Sequence, residues 1–248
     1  FALIGLPLGV QLTLLFADRI VRKFNFRLIL TIGIPLLSIS QCFAALMQSP
    51  YLFAGILIIG GASIAVIEVA VNLEADRVEA FLGKRIMNRS HAYWSFGFFG
   101  AGIIGAGFSQ IGISPFLHFV AITLFISIIT NLLFLDYIAA KPRRQSFPPQ
   151  KKVFVWPSKS IFFLVLFSLS AMLVEGASID WSVIFMRDIF NTVPLISGFS
   201  LALAAIAQGF IRYFADQFVD QYGPEKVSFY SLIAMVLGVA FVVFSPNP

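Results

Sequence analysis

The chain has 248 residues, 59% of them hydrophobic and 12% charged, with a formal net charge of +5. So little polar surface cannot cover a soluble globule, which excludes a water-soluble domain. The basic residues are sorted into alternate connections, as an orientation signal is, so no nucleic-acid partner is predicted.

A bilayer core of about 30 Å takes roughly 20 mostly apolar residues per helix, and eight such runs follow one another. They cover roughly residues 1–17, 28–47, 51–73, 92–112, 115–137, 160–184, 194–214 and 227–245. None alternates polar with apolar as a lipid-facing barrel strand must, so the runs are predicted to be helices and the fold an all-α, multi-pass membrane bundle. The first run has no basic segment before it and no small-residue cleavage site after it, so no signal peptide is predicted. It starts at Phe1, without an initiator Met and already inside an apolar run, so the chain reads as a fragment.

The connection after the first run carries Asp18 and Arg19. The second run holds Cys42, the one cysteine, which rules out an intramolecular disulfide and a paired-thiol metal site. The third ends in a polar stripe: Glu68, Asn72, Asp76 and Glu79 recur at spacings of four, four and three, hence on one helix face. An ionisable group within a span is expensive to place and so points to function. The stripe is expected to line a water-filled cavity, where desolvation helps a carboxyl group to hold a proton. Glu68 is the first choice for that role; the alternative is that it only hydrogen-bonds a neighbouring helix.

The fourth run opens with His91 and Trp94. A histidine changes charge near neutral pH, which suits a proton relay, and it equally suits a plain position at a helix start. Gly97, Ala101 and Gly105 then recur every four residues, the mark of a close helix contact. His118 in the fifth run, amid Leu117 and Phe119, reads as structural. Neither histidine has a ligand partner at the i+4 spacing of a helical pair, so no metal and no other cofactor is predicted.

Residues 139–159 break the helical pattern: Ala140 to Lys159 contains four prolines, six basic residues and no acidic one. This is predicted to be a cytoplasmic linker between a half-bundle of five spans, 1–138, and part of a second, 160–248. In the sixth run Glu175 lies near the middle, with Ser168, Ala171, Ser178 and Ser182 on its face, so that face is expected to line a cavity. Asp180 and Trp181 follow near the outer boundary, where contact with solute competes with an ion pair to Arg187 and an interfacial anchor. In the seventh run Gly198 and Ala202, then Ala205 and Gly209, form a second packing face.

Connections one, three and five carry the basic residues, and Arg212 and Lys226 flank the seventh, so 16 of the 17 fall on one side. By the positive-inside rule that side is the cytoplasm. A short pattern recurs 198 residues apart on that side, Phe16-Ala17-Asp18-Arg19-Ile20-Val21 and Phe214-Ala215-Asp216-Gln217-Phe218-Val219. The same register sets Asn25 against Gly223, two residue types that favour a left-handed turn, so both copies are expected to end alike.

These residues resemble the major facilitator superfamily. Asp18-Arg19 with the basic residues after it resembles the signature between that family's second and third helices, and Asp216 to Asp220 followed by Tyr222-Gly223-Pro224 resembles the connection between helices 8 and 9. The stretch Asn72 to Gly97, with Glu79, Met87, Asn88, His91 and Ser95-Phe96-Gly97, is similar to the helix 4 to 5 region of the fucose permease-like branch and its uncharacterised bacterial relatives. Glu175-Gly176 with Asp180-Trp181-Ser182 and Arg187 resembles helix 7 of the same branch. The resemblance implies a major facilitator fold covering about helices 2 to 9 of twelve, in two halves that meet across a central cavity.

The expected function is therefore secondary active transport of a small polar solute, a sugar among the candidates, by alternating access with proton symport. The expected setting is a monomer in the bacterial inner membrane. The pathway residues are expected to be Glu68, Asn72, His91, Glu175, Asp180 and Trp181, and the cytoplasmic gate Asp18, Arg19, Asp216, Asp220 and Gly223. The competing reading is a receptor, scaffold or inactive remnant that keeps the fold. An enzyme is not expected, since no nucleophile–base pair and no phosphate-cradling loop is present.

Overall fold

The computed structural model describes residues 2–141 and 156–246; most of the expected linker, 142–155, lies outside the described residues. After one 3-10 turn, Ala2–Ile4, the described residues form eight helices: α1 Gly5–Lys23, α2 Phe26–Leu46, α3 Pro50–Leu82, α4 Met87–Gln110, α5 Pro115–Phe134, α6 Lys159–Phe190, α7 Pro194–Tyr222 and α8 Pro224–Phe244. Seven are long and apolar enough to cross a membrane, which makes this an all-α, multi-pass membrane protein. The exception is α4. Its 24 residues reach about 36 Å, but five glycines and the polar run Asn88–His91 leave it less apolar than the eighth span expected from the sequence.

The helix ends follow from local chemistry. Asn25, Ser114 and Ser158 accept the backbone N–H groups of Leu28, Leu117 and Ile161 at 2.8, 3.4 and 3.3 Å, satisfying donors that a first turn leaves open. Proline opens α3, α5, α7 and α8, where its missing N–H costs nothing. Gly223, at φ 83°, lets the chain turn directly from α7 into α8. The equivalence expected at Asn25 fails: its backbone is extended, φ −73° and ψ 154°, because its side chain is committed to capping α2.

By internal contacts the chain divides into two compact units, one of Phe1–Met87 with Gly112–Arg143, the other of Asn88–Ile111 with Arg144–Pro248. The first holds α1, α2, α3 and α5; the second holds α4 and α6–α8. Large apolar side chains are mostly exposed, while the buried positions are largely small: Ala17, Ala65 and Ala70 in the first unit, Ala92, Ala202 and Ala205 in the second. Lipid is as apolar as a leucine, so nothing drives Leu and Phe inward, and small residues that let backbones approach hold the interior instead.

In the first unit Gly5 and Gly9 set α1 directly on α3. A Cβ at either position would collide with the backbone carbonyl of Ala54 or Ile58, and one at Gly61 would strike that of Leu6. In the second unit α4 and α7 run antiparallel, joined at three levels: Asn88 Nδ2 donates to Asp216 Oδ1 at 2.6 Å, Ser95 Oγ to Gln208 Oε1 at 3.1 Å, and the Leu195 backbone N–H to Gln110 Oε1 at 3.3 Å. Between these, Gly198 lies against Ala106, Gly102 faces Ala202, and Gly209 lies against the Phe96 ring. The expected stripe on α7 is therefore the packing face. That on α4 is off by one position: Ala101 is exposed and a Cβ on Gly97 would meet nothing, because Gly102 and Ala106 make the contact.

Candidate functional site

The second unit gathers the polar groups that have the most chemistry inside spans. From the middle of α6, Glu175 Oε1 accepts a hydrogen bond from Arg212 Nη2 of α7 at 3.0 Å, with the two side chains 32% and 27% exposed. Trp94 of α4 lies beneath the guanidinium, its ring centre 6.0 Å from Arg212 Cζ. Trp94 and Glu175 border a cavity of about 120 Å³ lined also by Phe98, Ser178, Leu201 and Gln208, among others, and Arg212 reaches that wall through its bond to Glu175. The polar wall is fixed from behind: Gln208 is held by Ser95, which is fully buried, and the Ser178 hydroxyl donates to the Val174 carbonyl at 2.8 Å.

Of the residues expected on the pathway, Glu175 is thus brought into a built site. Ser178 of its face lines the same cavity; Asp180 and Trp181 are exposed further along α6. Arg187 bonds Asp188 at 2.7 Å. His91 is half-buried, one turn from Ser95, whose hydroxyl donates to the His91 carbonyl at 3.3 Å.

In the first unit Glu68 is exposed on α3 and Asn72 is half-buried. At the end of their stripe Glu79 has a structural duty, accepting the backbone N–H groups of Ile86 and Met87 at 2.9 and 3.2 Å where α4 begins.

The expected gate residues divide likewise. Asp18 and Arg19 are exposed, and Asp18 pairs with Arg22 one turn on, at 2.9 Å. On α7, Asp216 is tied through Oδ1 to the start of α4, while its Oδ2 is buried and has no hydrogen-bond partner among the described residues. Asp220 is exposed near the turn at Gly223.

Two functional-looking residues escaped the sequence reading. Arg212 was expected as an orientation charge flanking the seventh connection; it lies inside α7, which runs to Tyr222, and pairs with Glu175 of α6. Glu74, off the stripe, is the one buried charged residue among those described, at 4% exposed. It accepts from Arg77 Nη1 at 3.3 Å, from Tyr137 Oη at 2.9 Å and from the Ala140 backbone N–H. Tyr137 lies beyond the end of α5, where burial, and then the hydrogen bond to Glu74, push its hydroxyl up to about 12.

No family model matches the chain, and no solved structure matches it. Two curated proteins do. An uncharacterized MFS-type transporter of Yersinia pestis is 26% identical over 247 residues, which is 97% of this chain and 62% of that protein. An uncharacterized transporter of Sinorhizobium fredii is 27% identical over 178 residues, 71% of this chain and 46% of that protein. The chain therefore spans less than two thirds of the length of either relative. Across nearly its whole length it is similar to a transporter of the major facilitator type.

Proposed function

We propose that the protein is a secondary active transporter that moves a small polar solute across the bacterial inner membrane by alternating access, coupled to protons. The observation that carries this reading is the Glu175–Arg212 pair, held inside two spans beside a cavity. Opposite charges in a bilayer are costly, and a helix that serves only as scaffold has no use for them. A carboxylate whose partner is one arginine can be ionised in one conformation and neutral in another, which is what coupling requires. The names of both relatives support a transporter rather than an enzyme.

Glu68 and Glu175 are the two candidate proton carriers, with Asn72, His91, Asp180 and Trp181 along the pathway. Asp18, Arg19, Asp216, Asp220 and Gly223 form the cytoplasmic gate, and residues 139–159 form a cytoplasmic linker between half-bundles 1–138 and 160–248. A sugar is among the candidate solutes. The test is full-length protein in liposomes that enclose a pH-reporting dye, with glucose, glycerol and lactate added outside in turn. Acidification of the lumen by one of them, abolished by a protonophore, is the expected result; lumens that stay unchanged while labelled solute enters would make the carrier uncoupled.

A further inference from the structure

We infer that the cavity beside Glu175 takes the carboxylate of a small monoanionic solute, and that Arg212 passes from Glu175 to that carboxylate when Glu175 takes up a proton. The inference rests on the proton-coupled reading and narrows its solute. It follows from the hydrogen-bonding inventory of the walls and of Arg212, which is bonded to the wall at Glu175. Arg212 carries five N–H donors and no acceptor, and its hydrogen bond to Glu175 at 3.0 Å is made by Nη2. Gln208 accepts from Ser95 through Oε1, which leaves both amide protons to donate. The indole of Trp94 only donates. Ser178 spends its proton on the Val174 carbonyl, keeping a weak acceptor oxygen. Glu175 is the one charged acceptor among the described residues of the wall.

The walls therefore suit an acceptor-rich ligand. A neutral polyol must find acceptors for each of its hydroxyl protons, and a protonated Glu175 would remove the best of them. A carboxylate needs donors alone, and its planar pair of oxygens matches a guanidinium fork. The cavity of about 120 Å³ has room for about four waters, the scale of a short carboxylic acid.

Charge balance gives the same answer. An arginine inside a span needs a counter-charge. Arg212 faces Glu175 from α7. The other titratable groups near it are Tyr213 and Asp216 on α7, Arg89, His91 and Tyr93 on α4, and Asp180 on α6. Of these, Asp216 is already held by Asn88, and Arg89 lies over the Tyr213 ring at 5.5 Å. When a proton adds to the Glu175 carboxylate, the site gains one positive charge, and a monoanion paired with Arg212 restores the balance. Proton and anion then cross together with no net charge moved.

The experiment is titration calorimetry on the purified full-length protein at about pH 5.5 and about pH 7.5, with acetate and lactate as probes and lactamide and glycerol as neutral controls of similar size. Lactate should bind about tenfold more tightly at the lower pH, as expected when a competing charge-assisted hydrogen bond is removed. Glu175→Gln, which cannot exchange a proton, should bind lactate equally at both values and at least as tightly as the parent. Arg212→Gln should lose binding while melting as a folded protein, and Arg212→Lys, which keeps the charge, should retain part of it. Failure of both carboxylates to bind at either pH, equal binding of lactamide or glycerol, or weaker lactate binding in Glu175→Gln would overturn the inference. Lactate binding without proton movement in liposomes would instead sink the transport reading, whereas proton-coupled glycerol uptake without carboxylate binding would sink this inference alone.

Discussion

Replacing Glu74 by Ala removes the acceptor of three hydrogen bonds at once and leaves Arg77 and the Tyr137 hydroxyl without their partner. Removing one member of a buried ion pair costs about 3–5 kcal/mol when the other stays buried. Arg77 is 23% exposed and can recover some water, which puts the loss near the lower end, about 3 kcal/mol. Tyr137→Phe should cost about 1.5 kcal/mol, the low end for a bond to a charged acceptor, since Glu74 keeps two other donors. Unfolding in mixed micelles should rank the variants in that order, and the double variant should lose less than the sum. A second readout is the pH titration of tyrosine absorbance. The folded state holds the Tyr137 proton more tightly than the unfolded chain, whose tyrosines lose theirs near pH 10. The contribution of that bond is thus full below about pH 10 and lost as pH rises through about 12. A Glu74→Ala protein within about 0.5 kcal/mol of the parent would show that the node is not holding the end of α5 to α3.

Gly9→Ala should destabilise the first unit by about 1–3 kcal/mol, because the new methyl meets the Ile58 carbonyl, whereas Gly97→Ala should be neutral or stabilising; melting both variants checks the contrast. A reporter fused after Lys152 should lie in the cytoplasm and one after Pro50 outside, as the distribution of basic residues requires, and reversal of both would overturn the orientation. Asp216→Asn should slow uptake by the full-length protein without lowering its amount in the membrane, since Asp216 ties α7 to the start of α4; unchanged transport would reduce that contact to helix packing.

The helices could be read in advance because lipid imposes length and composition on each span separately, and Ser114, Ser158 and the four helix-opening prolines mark their ends locally. Register was harder. On α7 the small residues fall in one stripe, but α4 has glycine or alanine on several faces, and only the partner helix selects Gly102 and Ala106 over Gly97 and Ala101. Glu175 was legible as a charge in mid-span. Its partner Arg212 was not, because the two lie 37 residues apart on different helices, which periodicity cannot pair. Glu74 was passed over for the regular stripe beside it; its role depends on Tyr137 and Ala140, more than 60 residues on, which periodicity cannot pair.

The central claim is that a carboxyl group inside the spans carries the coupling proton. Full-length protein in liposomes, preloaded with solute, separates exchange, which needs no net proton movement, from accumulation driven by an imposed pH gradient. Labelled lactate is followed first, and glucose is followed in parallel. Glu175→Gln and Glu68→Gln keep size and hydrogen bonding but cannot titrate. If a carboxyl group inside the spans carries the proton, Glu175→Gln, or failing that Glu68→Gln, exchanges as the parent does and no longer accumulates. Accumulation at the parent's level by both variants would contradict it.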